Sequence, residues 1–422
     1  MSLHQSREIW GWAMYDFANS GYTTVVLTAV YNAYFVGVVA GELGTGRATL
    51  LWTLALGLSN GLVILSAPLI GAFADATASK KRFLAVSTGI CVLSTAMLGL
   101  TGAGSIAWAM GLIVLSNLAF ATGENLISAF LPEIAPEGHL GRVSAFGWSL
   151  GYLGGITVLG ICLAAIEAAA RFGLEPAKAV PIAMGVVALC YGLAALPTFL
   201  WVPERGHTSR EGGFLRSGLG RLERTRKQLR GLADLRWFLA SAFVYASGTF
   251  TVIVLAAVYA TEVFGFGTQE TMGLILVLNL AAAGGAFGFG QLQDRLGSVP
   301  ALGLSLALWI ASLGLAFGAQ TRPGFWLAAL GVGVALGGSQ SVGRALLGLL
   351  TPPGRAAEFY GFWGMTLRLA AVVGPVSFGA IAEVTAGNLR LGLLSTAAFF
   401  LVGSLLLSRV NEERGHAQVK SP

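Results

Sequence analysis

What this chain has least of is charge. Only 11% of its 422 residues are Asp, Glu, Lys or Arg, against about 25% in an ordinary soluble domain. With 55% hydrophobic residues, that deficit excludes a chain living wholly in water. Proline is also sparse, 13 residues beside 59 glycines. That balance argues against disorder and suits apolar helices whose small residues let backbones approach closely. The three cysteines, Cys91, Cys162 and Cys190, fall in apolar runs without metal-ligand spacing, so neither a disulfide framework nor a thiolate metal site is expected. The four histidines, His4, His139, His207 and His416, all fall in polar segments, which argues against a buried imidazole metal site or an intramembrane His relay. No metalloprotease His pair, nucleophile elbow or P-loop occurs. "GVGVALGG" (331–338) lies within an apolar run and lacks the strand–turn–helix setting of a dinucleotide loop. No enzyme, cofactor or metal is therefore expected. The N-terminus carries Glu8 and Asp16 and lacks a small-residue cleavage site after a short apolar run, so it does not read as a cleaved signal.

What is there is a series of apolar stretches near 20 residues, long enough to cross a bilayer. Twelve are found, at 9–38, 50–74, 83–102, 105–131, 143–168, 180–203, 237–262, 270–293, 298–318, 325–350, 359–384 and 390–410. Of the 26 Lys and Arg, Arg47, Arg171, Lys178, Arg322 and Arg390 fall in the loops opposite the termini, and Arg344 and Arg368 fall inside spans. All the others lie on the side of the termini. This is the positive-inside pattern, so both termini are expected in the cytoplasm and the protein in the cell membrane. The pattern accounts for the net charge of +6 without any nucleic acid.

The longest polar segment, 204–236, includes "RLERTRKQLR" at 221–230. Leu219, Leu222, Leu229 and Leu232 recur near helical spacing there. The segment reads either as an amphipathic helix lying on the membrane or as a solvated linker whose charges set topology. It divides the chain into a six-helix bundle at 1–203, a basic linker at 204–236, and a second six-helix bundle with a short tail at 237–422.

The halves look duplicated. "YTTVVLTAVY" (22–31) aligns with "FTVIVLAAVY" (250–259), sharing Thr23/Thr251, Val26/Val254, Leu27/Leu255, Ala29/Ala257, Val30/Val258 and Tyr31/Tyr259. "GAFAD" (71–75) aligns with "GQLQD" (290–294), each placing Gly four residues before Asp at the end of a second span. Matches in the same order are the mark of an internal repeat.

Twelve spans in two halves, a basic central loop and this Gly-x-x-x-Asp pair resemble the major facilitator superfamily. Gly71 and Asp75, followed by Lys80, Lys81 and Arg82, are similar to its loop 2–3 motif, although Ala76 and Ala78 replace the motif's Arg and second Gly. The second copy keeps Gly290, Asp294, Arg295 and Gly297 but lacks the basic pair. "YDFANSGY" (15–22), "ENLISAFLPE" (124–133), "GWSLGYLGG" (147–155), "SQSVGRALLGLLTP" (339–352) and "FYGFWG" (359–364) are similar to the unknown major facilitator family, related to the fungal vacuolar amino-acid effluxers of autophagy. The resemblance implies an all-α integral membrane transporter with helices 1, 4, 7 and 10 around a central cavity. It also implies that Asp75 and Asp294 help latch the cytoplasmic side, with solvated topogenic charges as the alternative. Glu133, Arg142, Arg355 and Glu358 are candidates to join that latch.

Charged residues inside spans are costly and mark pathways by default. Four stand out: Asp16, Glu124, Arg344 and Arg368. Asp16, Asn19, Ser20 and Thr23 follow helical spacing and form one polar stripe, which should face the bundle interior. The repeat pairs Asn19 with Ser247, Thr23 with Thr251 and Asp16 with Val244. It pairs Glu124 with Gln340, Arg344 with Ser128 and Arg368 with Tyr152. No charge has a charged mate, so the duplicated scaffold does not need charges there. The alternatives are snorkelling arginines and an Asp tying a helix start. Asp16, Asn19, Thr23, Glu124, Asn125, Gln340, Arg344 and Arg368 are the candidate substrate and proton-coupling residues, and a carboxylate–arginine pair among them would serve as a gate. Trp363 and Tyr152 are candidates for the cavity wall, with packing as the other reading. Gly147, Gly151 and Gly155 give small-x-x-x-small spacing for close helix packing.

A carboxylate for an ammonium and a guanidinium for a carboxylate suit a zwitterion such as an amino acid, and a cavity carboxylate can exchange protons. The expectation is a secondary transporter of a small polar solute, working by alternating access with proton coupling. Its partners are the lipid bilayer, the solute and protons. An exporter of drugs or mixed metabolites is the alternative within the fold. A membrane sensor or scaffold is the alternative outside it, and it would call for a soluble module larger than the 204–236 segment.

Overall fold

The computed structural model describes residues 3–205, 231–385 and 389–420. Among these there is no strand, and twelve helical spans are long and apolar enough to cross a membrane. Each apolar stretch read from the sequence holds one of them. In chain order the helices are α1 (Leu3–Tyr22), α2 (Thr45–Ala76), α3 (Lys80–Leu98), α4 (Ile106–Ser128), α5 (Leu140–Arg171) and α6 (Pro176–Trp201). They continue as α7 (Ala233–Phe264), α8 (Thr268–Leu296), α9 (Ser298–Gly318), α10 (Arg322–Leu349), α11 (Ala356–Val384) and α12 (Leu389–Leu407). A short α13 (Glu412–Lys420) follows. Leu219, Leu222 and Leu229 lie outside the described residues, while Leu232 directly precedes α7.

Backbone groups in hydrocarbon must be satisfied within their own segment, which is why these runs are helical. Leucines such as Leu54, Leu65, Leu189, Leu200 and Leu405 face outward, as they should against lipid. The first span departs from regularity. After Tyr22 it widens into a π-helix at Thr23–Ala29, tightens for one turn at Tyr31–Tyr34, and widens again at Phe35–Val39. Such bulges frequently mark functional positions, and this one begins where the polar stripe ends.

Helices α1–α6 pack among themselves, with α1 against α5 and α6, and α4 against α2 and α3. Helices α7–α12 do the same, with α10 against α8 and α9, and α7 against α11 and α12. The repeat is visible in detail. Tyr31 shares a 2.8 Å hydrogen bond with Thr101 just after α3, and its mate Tyr259 donates to Ala316 O near the end of α9 at 3.2 Å. The two groups meet through α2 against α11 and through α5 against α8 and α10. At the face carrying both termini, Arg414 of α13 pairs with the buried Asp234 of α7 at 2.6 Å. Glu412 accepts from the free backbone N–H groups of Ser298 and Val299 at the start of α9.

The glycines of α5 seat α1 directly. A Cβ added at Gly151 would lie 2.9 Å from Ser20 Oγ, and one at Gly155 would lie 2.7 Å from Thr24 Oγ1. At Gly154 it would fall 2.5 Å from Phe17 O and 2.7 Å from Phe17 Cα, and backbone cannot step aside as a side chain can. Gly154→Val is therefore expected to lower the unfolding free energy by about 1–3 kcal/mol. Denaturant unfolding of the purified protein would check this, and an unchanged midpoint would contradict the packing described.

Candidate functional site

A cavity of about 320 Å³ lies between the two groups of helices. Its wall takes Asp16, Asn19, Ser20 and Thr23 from the first span, and Glu124, Asn125 and Ser128 from α4. Tyr245, Thr249 and Phe250 of α7, Ser339, Gln340 and Arg344 of α10, and Trp363, Gly364 and Arg368 of α11 complete most of it. All eight candidate substrate residues thus line one space. The polar stripe of α1 faces it. The corresponding stripe of α7 does not. A Cβ on Gly374 of α11 would lie 2.6 Å from Thr251 Oγ1 and 2.8 Å from Ser247 C, so those mates face a neighbouring helix.

The four intramembrane charges form two ion pairs, each joining the two helix groups. Arg344 Nη1 donates to Asp16 Oδ2 at 2.7 Å. The same guanidinium donates from Nε to Ser144 Oγ at 3.2 Å and from Nη2 to Ser144 O at 2.8 Å. It lies over the Trp12 ring at 4.6 Å and the Trp148 ring at 5.2 Å. Side-chain exposure is 5% for Arg344 and 10% for Asp16. Removing one partner of a buried pair like this costs about 3–5 kcal/mol, because a charge is left without compensation.

The second pair is looser. Arg368 Nη2 meets Glu124 Oε2 at 3.1 Å, with side-chain exposures of 18% and 38%. Its one described ring contact is Phe120 at 5.9 Å. The pair is less enclosed than Asp16–Arg344. Its repeat mates also meet each other. Tyr152 donates to Gln340 Oε1, so the place that holds an ion pair between α4 and α11 holds a neutral hydrogen bond between α5 and α10. Tyr152 is spent on this contact, whereas Trp363 is part of the cavity wall.

Among the described residues, several wall groups have no hydrogen-bond partner. Tyr191 donates to Asn19 Oδ1 at 2.7 Å, leaving Asn19 Nδ2 without a partner, as are Asn125 Nδ2, Trp148 Nε1 and Tyr245 Oη. Thr23 Oγ1 donates back to the carbonyls of Asn19 and Ser20.

The repeated Gly-x-x-x-Asp motif also bridges the two helix groups. Asp75 Oδ2 accepts from Glu358 N at 2.9 Å, in the first turn of α11. Asp294 Oδ1 accepts from Gly141 N at 3.0 Å and Asp294 Oδ2 from Arg142 N at 3.4 Å, in the first turn of α5. Arg142 Nε adds an ion pair to Asp294 at 3.3 Å. The N-cap residues His139 and Arg355 make no side-chain cap of their own. Each helix start is instead capped by a carboxylate from the other group, which also complements the positive helix end. The glycines explain the spacing. A Cβ on Gly71 would fall 2.8 Å from Glu358 Cα, and one on Gly290 would fall 2.8 Å from Gly141 O.

The basic residues near the motif behave differently. Lys80 pairs with Glu133, and Lys81 Nζ donates to Val202 O at 2.7 Å, both contacts within α1–α6 and their loops. Arg82 and Arg295 are exposed. Arg355 pairs with Glu358 in its own helix at 2.9 Å. Sequence reasoning missed Ser144, Trp12 and Trp148, which hold Arg344. Trp12 lies one turn before Asp16, and Ser144 and Trp148 flank Gly147 at helical spacing, so the signal was present on the two faces that meet.

A family model described as vacuole effluxer Atg22 like matches residues 47–420. The chain is 27% identical over 407 residues to the MFS-type transporter YxiO of Bacillus subtilis, covering 95% of this chain and 94% of that one. It is 26% identical over 304 residues to autophagy-related protein 22 of Cryptococcus neoformans, where the match takes in 66% of this chain but only 54% of the fungal protein. Among solved structures, the human organic anion transporter MFSD10 aligns with a TM-score of 0.74 at 16% identity, covering 96% of this chain and 100% of that one. The proton:xylose symporter XylE aligns with a TM-score of 0.72 at 15% identity, covering 99% and 98%. At these identities the structures speak to fold alone.

The trans caps carry a direct test. A hydrogen bond to a charged group contributes roughly 1.5–3 kcal/mol, so Asp75→Ala or Asp294→Ala should shift the closed-to-open ratio of the termini face about ten- to a hundredfold. Spin labels at the exposed positions Arg82 and Arg295 would report this as a population at longer distance. Unchanged distance distributions in both variants would contradict a sealing role.

Proposed function

The chain belongs to the family of Atg22-like vacuole effluxers and has the fold of a major facilitator transporter, and from that premise we propose that it carries a small zwitterionic solute, an amino acid in the first instance, by alternating access coupled to protons. One observation supports this most. A single cavity holds two carboxylate–arginine pairs, and each pair spans the two helix groups. A solute with an ammonium and a carboxylate can satisfy both signs at once, the guanidinium binding carboxylate through a planar fork. A lipophilic cargo has no use for either charge.

Coupling follows from the same pairs. For the termini face to open, the groups must separate and the Asp16–Arg344 contact must break. The carboxylate then stands unpaired in an apolar setting, where it is tolerated once it takes a proton. Glu124 meets the same requirement when its arginine turns to solute. We place the termini in the cytoplasm of a cell membrane on the asymmetry of Lys and Arg between the two faces. The face bridged by Asp75 and Asp294 is then cytoplasmic. The working units are residues 1–203 and 237–422, joined by 204–236.

Counterflow in proteoliposomes with each of the amino acids, with and without an imposed pH gradient, tests the reading. At least one amino acid should exchange, and the gradient should drive its accumulation. Asp16→Asn is expected to retain exchange and lose gradient-driven accumulation. Wild-type rates with unchanged pH dependence in both Asp16→Asn and Glu124→Gln would remove proton coupling. Flux of a lipophilic cation with flux of no amino acid would favour an exporter of drugs or mixed metabolites.

A further inference from the structure

The two ion pairs are built differently, and the difference assigns them different tasks. We propose that Glu124 and Arg368, together with the unpartnered donors of Asn19, Asn125 and Tyr245, form the seat that meets the solute, whereas Asp16–Arg344 is a lock that solute does not touch. The seat rests on the function proposed above; the lock does not.

Geometry separates them first. Arg344 is enclosed by Asp16, both polar atoms offered by Ser144, and two indole rings. Three of its five N–H groups are bonded there and its side chain is only 5% exposed, so a solute carboxylate would have to displace Asp16 or Ser144 to engage it fully. That contact lies toward the termini face, next to the seal made by Asp75 and Asp294. Arg368 makes one described hydrogen bond, to a carboxylate that is itself 38% exposed to the cavity. A solute can exchange for that partner at little cost.

The unpartnered donors point the same way. Asn19, Asn125 and Tyr245 are 6%, 9% and 4% exposed, and each keeps a buried donor without an acceptor among the described residues. Donors left bare in a low-dielectric space call for a ligand rich in acceptors. The fit is to a carboxylate on Arg368 and the amides, with the ammonium on Glu124. Small residues on the facing helices leave room for these side chains, since a Cβ on Gly364 would lie 2.5 Å from Asn125 Cγ and one on Gly343 2.5 Å from Tyr245 Oη. The repeat adds an internal control. Tyr152 and Gln340 occupy the positions equivalent to Arg368 and Glu124 and hold the other seam with a neutral bond. Cohesion at this level therefore does not require charge.

The test uses the full-length purified protein and two readouts. Hydrogen–deuterium exchange over segments 70–76, 140–146 and 356–361 reports the seal. Asp16→Asn, and the double variant Asp16→Asn with Arg344→Gln, should raise exchange there by roughly tenfold or more, while Glu124→Gln and Arg368→Gln leave it unchanged. The double variant removes both charges, so the result does not depend on the protein tolerating an orphaned arginine. Equilibrium binding of a mixture of radiolabelled amino acids reports the seat. Glu124→Gln and Arg368→Gln should weaken binding on the order of a hundredfold, the double variant should bind within a few-fold of wild type, and decarboxylated amines should not compete. Opening of the seal by Glu124→Gln as large as that by Asp16→Asn overturns the lock. Loss of binding in the double variant with retention in Glu124→Gln overturns the seat. If the wild type binds no amino acid, the seat falls together with the proposed substrate, and the lock is decided by exchange alone.

Discussion

A polar group taken out of water needs a partner, and along the midline of this protein many of those partners come from the opposite half of the molecule. The first turns of α5 and α11 have no side-chain cap of their own. Asp294 and Asp75 supply one across the seam. Arg344 finds Asp16 the same way. These contacts gather toward the face that carries the termini, so the interactions that satisfy the backbone and the charges are the ones that close it. A state open at that face would have to satisfy the same groups with water or solute.

Duplication supplied the scaffold, and asymmetry supplied the chemistry. The equivalent positions Glu124–Arg368 and Gln340–Tyr152 both bridge the halves, yet only one bridge is charged. Asp16 stands opposite Val244, and the polar stripe of α1 faces the cavity while that of α7 faces α11. The first span is also the one whose helix widens into π turns beyond Thr23. These departures from the repeat fall on the cavity wall or directly beside it.

The glycines show how a small residue can act on both fold and function. On α5 they let α1 approach until Asp16, Ser144 and Arg344 are within hydrogen-bonding distance. In the repeated motif, Gly71 and Gly290 let the helix ends come close enough for an aspartate four residues later to reach a backbone N–H across the seam. The spacing reads as a motif because Gly and Asp one turn apart share a helix face.

Much was legible in the chain itself. Twelve apolar runs gave twelve helices, since the length that crosses a bilayer and the need to satisfy the backbone locally are both written in consecutive residues. The polar stripe at Asp16, Asn19, Ser20 and Thr23 and the four charges inside spans were legible for the same reason, as rare residues in an apolar background. Their partnerships were not. Asp16 and Arg344 are 328 residues apart, and Glu124 and Arg368 are 244 apart, separations over which no local pattern carries information. Sequence placed Lys80, Lys81, Arg82 and Arg295 beside the sealing motif; only the packed helices sent Lys80 to Glu133, Lys81 to Val202, and left Arg82 and Arg295 at the surface. Which residues are apolar or charged is a property of the chain, whereas which of them meet, and which face they close, depends on how two six-helix groups dock.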